Sequence, residues 1–278
     1  MSRFYRLAGK ESMSPGVRDT KKGSYYANPE VDDQLQAAGL GEERRREHPG
    51  YYGRNIWPRE DLPELEPAFK AAGGLVCAVG RLLAAACDRY VTQRLGAPEG
   101  HVSRVIQQST NHKARLLHYF PPEPAAGGSA THPQRQVWCG WHFDHGSLTG
   151  LMRAMYIDAS GAEVPCPNPH AGLYIRDRHG RVVRVTIPAD CLAFQVGEAL
   201  QVQSGGLLRA TAHYVRAAEG PAAVGVSRDT FAVFMQPNVQ ERMDCPPGVS
   251  PKQVEVTHWK PGMNFGQFAE EKFKVYYR

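Results

Sequence analysis

From Pro63 onward, the apolar positions Leu65, Phe69, Ala72, Val76, Val79, Leu83, Ala86 and Tyr90 recur at alternating spacings of four and three. That period gathers them on one face of a long helix, predicted over 63–95, with Gly96 as its stop. The pair Gly73-Gly74 inside it marks a kink or a close packing contact. The preceding residues 1–50 are polar and weakly periodic. They are expected to form loops and short helices, followed by a turn at Gly53–Pro58 that anchors Trp57.

After about residue 102 the period shortens. Short apolar runs stand at Ala114–Phe120, Val137–His142, Leu151–Ile157, Leu173–Asp177, Val182–Pro188, Cys191–Val196, Leu207–Val215 and Ala223–Met235. Arg178-His179-Gly180-Arg181 between two of them reads as a hairpin turn. The stretches 124–136 and 158–171, rich in Pro, Gly, Ala and Ser, read as loops. Asn264–Arg278, with Phe265, Phe268 and Phe273, reads as a terminal helix. Many short strands after one long helix predict a mainly β fold with flanking helices (α+β), a sandwich or barrel. The expected organisation is one domain over 1–278. It comprises an irregular N-terminal segment (1–60), the supporting helix (63–95), a strand-rich core (102–240) and a C-terminal extension (241–278).

Composition narrows the function classes. The net charge of +5 is scattered rather than striped, and the one dense cluster, Arg44-Arg45-Arg46, is flanked by glutamates. It reads as a solvated face, so no nucleic-acid partner is expected. The apolar stretch 71–87 is interrupted by Arg81 and reads as a core helix, so no membrane partner is expected. The six cysteines show no Cys-x-x-Cys pairing, and Met1–Arg6 carries no hydrophobic signal stretch. A soluble, cytoplasmic protein with free thiols is the expectation.

The candidate chemistry begins at Trp141-His142-Phe143-Asp144-His145-Gly146. On a strand, residues i and i+2 share a face, so His142 and Asp144 present an imidazole and a carboxylate to one point. Such a pair fits the two-histidine, one-carboxylate triad of non-haem Fe(II), which needs one more histidine. Among the eleven histidines, His213 has the best setting, on an apolar run, whereas the others lie in turns, loops and polar connections. Arg228 and Thr230, again i and i+2, share a face of the strongly apolar final strand. An arginine held inside such a strand needs an anion, which its planar fork grips through two charge-assisted bonds.

The ordered set His142-x-Asp144, Gly197-Glu198-Ala199-Leu200-Gln201, His213 and Arg228-x-Thr230 resembles the 2-oxoglutarate/Fe(II)-dependent dioxygenases, most of all their isopenicillin N synthase-like branch. Pro121-Pro122 and Gly53-x-Asn55-Ile56-Trp57-Pro58 are similar to two further family segments, and the resemblance spans roughly residues 50–240. It implies a double-stranded β-helix (jelly-roll) core. It also implies Fe(II) on His142, Asp144 and His213, and 2-oxoglutarate with its distal carboxylate on Arg228 and Thr230. The implied reaction uses O2 to couple decarboxylation of 2-oxoglutarate to succinate with oxidation, chiefly hydroxylation, of a small organic substrate.

Three departures from the family pattern stand out. Thr230 replaces a serine, Glu198 replaces an aspartate, and the family's Asn-x-Tyr is represented by His118-Tyr119-Phe120. In that alignment Phe120 takes the tyrosine's place and Tyr119 points away, removing one hydroxyl from the co-substrate; the alternative is that His118 or Tyr119 makes the contact through a shifted register. Two alternatives stay open: an oxidase that uses O2 on the same scaffold without 2-oxoglutarate, and a non-catalytic metal-binding barrel. Loops 124–136 and 158–171 and the N-terminal aromatics are expected to contact the substrate.

Overall fold

The structure is a computed structural model that describes residues 5–6, 11–14, 17–122 and 137–276. Its strands are β1 (Tyr5–Arg6), β2 (Glu11–Ser14), β3 (Val17–Asp19), β4 (Lys22–Ala27), β5 (Lys113–Tyr119), β6 (Val137–His142), β7 (Leu148–Leu151), β8 (Met155–Ile157), β9 (Glu163–Val164), β10 (Gly172–Arg176), β11 (Val182–Arg184), β12 (Ala193–Val196), β13 (His213–Arg216) and β14 (Ser227–Met235). The helices are α1 (Gln34–Ala37), α2 (Glu42–Glu47), α3 (Leu65–Leu95), α4 (Ser103–Gln107), α5 (Glu198–Gln203), α6 (Pro251–Val254) and α7 (Phe265–Tyr276).

The larger sheet runs β1-β4-β5-β14-β7-β12, with β8 beside the first half of β14 and β9 on β8; the smaller runs β11-β10-β13-β6. Every pairing is antiparallel. The two sheets face each other across a cavity of about 600 Å³, with Leu117 and Thr230 on one wall and Leu173 and Val215 on the other. This is the mainly β, double-stranded β-helix architecture with flanking helices.

Strand β14 sets which side chains enter the cavity. Its alternation turns Arg228, Thr230, Ala232 and Phe234 inward, while Phe231, Val233 and Met235 join the core under α3. Phe69 of α3 meets Phe231 edge-on, with ring centroids 5.0 Å apart. The helix spans the predicted length and closes on Gly96 in the left-handed region (φ 64°). Its buried seam, however, runs through Phe69, Gly73, Val76, Cys77, Gly80, Ala84, Asp88 and Val91. Val79 is half-buried, and Ala86 and Tyr90 are exposed. The seam turns this way because small residues let the helix approach the sheet. A Cβ on Gly80 would collide with the Met235 sulfur, and one on Gly73 with Pro29. By length and composition α3 could cross a membrane; here its seam packs on the sheet and its Leu75 and Leu82 face outward.

Several local expectations need correction. The segment 1–60 is not wholly irregular: β4 pairs along its length with β5 as a strand of the larger sheet. The run Leu207–Val215 is a strand only from His213, because Ser204 Oγ and Gln201 Oε1 accept the Leu208 and Ala210 N–H groups. The last run starts as a 3-10 turn at Pro221–Ala223 and becomes a strand at Ser227, after Gly225 in positive φ (74°). Loop 158–171 contains β9. Loop 124–136 lies outside the described residues. The hairpin forms as expected, Asp177 Oδ1 accepting the His179 and Arg181 N–H groups at 2.9 Å.

A second core joins the C-terminal segment to the rest: Phe265 and Phe268 of α7 are buried with Tyr51, Tyr52, Ala199 and Val202. Beside it Lys272 Nζ meets Glu198 Oε2 at 2.7 Å, both side chains nearly fully enclosed.

Because Val76 is completely buried in the α3 seam, Val76→Asp places an unpaired charge against the sheet. It is expected to cost roughly 3 kcal/mol or more, whereas Leu82→Asp on the outer face is expected to change stability by about 0.5 kcal/mol or less. Urea unfolding of the two variants measures the contrast.

Candidate active site

Strands β6 and β13 are neighbours in the smaller sheet, and their register sets His142 directly opposite His213. The ring centroids stand 4.1 Å apart. Each Nδ1 lies against a backbone carbonyl, that of Gly140 at 2.8 Å for His142 and that of Thr211 at 2.9 Å for His213. A proton donated from Nδ1 leaves the Nε2 lone pair as the ligating one, the usual way a protein sets the tautomer of a metal-binding histidine. Asp144 lies two residues beyond His142. Its Oδ2 accepts from Thr149 Oγ1 at 2.6 Å and from Gln195 Nε2 at 2.9 Å. Its Oδ1 is 3.9 Å from Nε2 of each histidine. The three residues thus offer ligand atoms that all lie within 4.8 Å of one another. The donor set and spacing fit a divalent cation of the Fe(II) class.

Electrostatics agree with that fit at Asp144 and His213. Burial opposes charge on Asp144, but His213, His142 and the bonds from Thr149 and Gln195 outweigh it and hold the carboxyl at about 2. Burial lowers His213, which favours the neutral, ligating ring. Cys139 Sγ lies 3.8 Å from His142 Nδ1. Burial opposes charge on both, and their attraction draws the thiol down and the imidazole up. A divalent cation at Nε2 would take over the charge that a second ring proton otherwise supplies.

The motif Gly197-Glu198-Ala199 acts on the same turn from behind. Gly197 N–H donates to Ser147 O at 3.0 Å, Glu198 N–H to Asp144 O at 2.8 Å and Ala199 N–H to Gly146 O at 3.0 Å. A Cβ at position 197 would strike the Gly146 carbonyl. Only glycine allows this close backbone approach, and the approach holds the Asp144–Ser147 turn in place.

Deeper in the cavity Arg228 is buried, and its Nε has no partner. The register places Tyr119 opposite it on one side and Tyr156 on the other. The guanidinium sits 5.2 Å from the centroid of the Tyr119 ring. Burial pushes both phenols up, Tyr156 to about 12, so both remain neutral donors. Thr230 follows on the same wall. An enclosed guanidinium with an orphaned N–H, a hydroxyl beside it and a metal triad in the same cavity fit a co-substrate carrying a carboxylate at each end.

Here the expected alignment of the tyrosine is overturned. Phe120 lies past the end of β5, exposed, edge-on to His118 on the outer side. Tyr119 is the inward residue, in step with Leu117 and Arg115. The strand is one residue out of step with the assumed alignment, and a slip of one exchanges the two faces. The proline pair is a poor ruler for this strand: β5 ends at Tyr119, so its alternation has to be counted from Arg228, its cross-strand partner. Tyr156, Thr149 and Gln195 were not singled out by sequence. Inward alternation on β12 was the available signal for Gln195, as the hydroxyl five residues after Asp144 was for Thr149.

No protein-family model matches the chain. Among curated proteins, a UPF0676 protein of Schizosaccharomyces pombe is 30% identical over 124 residues, 45% of this chain. The match spans only a third (33%) of that relative's length. Solved structures match nearly the whole chain. A protein of Caulobacter crescentus assigned to the 2OG-Fe(II) oxygenase family superposes with a TM-score of 0.63 at 18% identity, over 97% of this chain and 75% of that one. A full-length Neurospora crassa protein in complex with alpha-KG gives 0.65 at 19%, over 97% and 72%. JOX2 in complex with 2OG, Fe and JA gives 0.54 at 16%, over 96% and 63%. The fold is therefore that of the 2-oxoglutarate–Fe(II) oxygenases. At 16–19% identity the likeness is one of fold, and it does not single out the isopenicillin N synthase-like branch.

Anaerobic titration of the apoprotein with Fe(II) checks the triad. His142→Ala and His213→Ala are expected to lose the iron site while keeping the wild-type fold. Thr149→Val, which removes a hydrogen bond from the ligating carboxylate, is expected to weaken iron about 10–100-fold.

Proposed function

We propose that this chain is an Fe(II)- and 2-oxoglutarate-dependent oxygenase acting on a small organic substrate. The observation that carries the reading is the joint presence, in one cavity, of the His142–Asp144–His213 donor set and the buried Arg228 with an unpartnered Nε. When bound, Fe(II) would supply the redox chemistry by which O2 decarboxylates 2-oxoglutarate to succinate and CO2 and oxidises the substrate, chiefly by hydroxylation.

The chain's own residues perform the positioning. His142, Asp144 and His213 would hold the cation, with Thr149 and Gln195 fixing which carboxylate oxygen is free to ligate. Arg228 would grip the distal carboxylate of 2-oxoglutarate, with Thr230 adding a hydroxyl and Tyr119 a ring that supports the guanidinium. Leu117, Leu151, Leu173 and Val215 line the walls and exclude water from the reacting centre. The cavity, about 600 Å³, is the size of a small-molecule site. The similar Neurospora crassa protein is also solved with alpha-KG and thymine, which supports a small-molecule substrate for this chain as well. Glu163 to Cys166 of loop 158–171 line the cavity and would contact it. The six cysteines are free thiols, which suits a reducing, cytoplasmic setting. Arg228 favours this reading over an oxidase that dispenses with 2-oxoglutarate, because a buried guanidinium facing a cavity is costly without an anion.

Succinate release from 2-oxoglutarate by the Fe(II) protein, without added substrate, tests the proposal; none above a metal-free control would contradict it. Arg228→Ala is expected to weaken 2-oxoglutarate on the order of a hundredfold, since two charge-assisted bonds are lost. Phe120→Tyr, on the outer side, is expected to leave binding unchanged, while Tyr119→Leu weakens it by about tenfold or less.

A further inference from the structure

A second set of metal-ligating side chains lies on the far side of the larger sheet, away from the cavity. Glu30 follows β4, Cys77 sits in the middle of α3, and His112 immediately precedes β5. One ligand atom from each lies within 4.8 Å of the others. Cys77 and His112 have no solvent exposure at all. Neither ring nitrogen of His112 makes a hydrogen bond, although such groups are bonded in the great majority of buried sites. Of the groups that act on the ring, the Ile106 backbone has the smallest effect.

We propose that Glu30, Cys77 and His112 form a second, structural metal site that takes Zn(II). A thiolate, an imidazole and a carboxylate are the ligands Zn(II) favours, and the soft sulfur discriminates against Mg(II) and Ca(II). Burial pushes the Cys77 thiol up to about 12 and the His112 ring down to about 4. The imidazole is thus ready to ligate, whereas the thiol must give up its proton. Binding breaks the S–H bond, forms a Zn–S bond and releases one proton to solvent, so affinity rises with pH. Arg81 grips Glu30 through both carboxylate oxygens at 2.7 and 2.6 Å. It orients the carboxylate and leaves lone pairs on each oxygen, as outer partners of metal ligands do. Glu30 stands at the exposed rim, the side from which the ion and a water as fourth ligand would enter. The ion would add a cross-link among three segments already joined by the β4–β5 ladder and the Arg81–Glu30 pair: the end of β4, the supporting helix and the start of β5.

Co(II) added to the metal-free protein, residues 1–278, is the probe, because a cobalt–thiolate bond alone gives a near-ultraviolet charge-transfer band. The band is expected in the wild type and in Cys139→Ser, whose sulfur neighbours the first site, and to be absent in Cys77→Ser. Zinc analysis is expected to find one equivalent retained in the His142→Ala/His213→Ala double variant. Zinc is also expected to raise the Tm of that variant and not of Cys77→Ser. No charge-transfer band in the wild type at stoichiometric Co(II) would overturn the proposal, leaving a thiol–imidazole contact without metal. So would a band that survives Cys77→Ser and vanishes in Cys139→Ser. The wild-type and Cys139→Ser measurements decide it even where Cys77→Ser does not fold.

Discussion

The facing of β14 is the constraint on which the rest of the structure depends. One side of this strand lays Phe231, Val233 and Met235 under α3, and the other carries Arg228, Thr230, Ala232 and Phe234 into the cavity. The apolar side cannot be turned inward without losing the seam against Phe69, Val76 and Gly80, so hydrophobic burial by the helix decides where the guanidinium points. The larger sheet transmits this choice. Tyr119 and Tyr156 face the cavity because they lie opposite Arg228 in register. The helix lies on the opposite face of the sheet from the cavity, yet it decides which way Arg228 points.

The metal side rests on a different register, that of β6 with β13. Two histidines 71 positions apart become cross-strand neighbours, and backbone carbonyls two residues before each of them fix the rings. The carboxylate is fixed by side chains of the opposite sheet, Thr149 of β7 and Gln195 of β12. The site is therefore a joint between the two sheets. Backbone bonds from Gly197–Ala199 to the Asp144–Ser147 turn close that joint from behind. This gives the Gly-Glu-x-Leu-Gln stretch a physical role that does not involve touching a ligand.

Much of this was legible in the residues. The four-and-three spacing located α3, and the shift to short apolar runs located the strands. The i, i+2 pairs His142/Asp144 and Arg228/Thr230 pointed to one cavity. What the pattern could not give was rotation and register. The seam of α3 is set by glycines, which carry no hydrophobic signal but determine how close the helix can come. Tyr119 and Phe120 are both aromatic, and nothing local distinguishes the inward one; only pairing with Arg228 does. Strands begin later than their apolar runs where Ser204 and Gln201 side chains capture backbone N–H groups and Gly225 turns the chain. The residues that orient Asp144 leave only a faint local signal because their function exists only after the sheets meet.

The central claim is that one cavity holds a metal at the joint of the sheets and a dicarboxylate stretched from it to β14. Anomalous diffraction at the iron edge, from crystals grown anaerobically with Fe(II) and 2-oxoglutarate, tests it most directly. The expected result is an iron peak bonded to His142 Nε2, Asp144 Oδ1 and His213 Nε2, with the distal carboxylate of 2-oxoglutarate on the Arg228 guanidinium. Iron bound away from these three atoms, or a 2-oxoglutarate whose far carboxylate avoids Arg228, would contradict it.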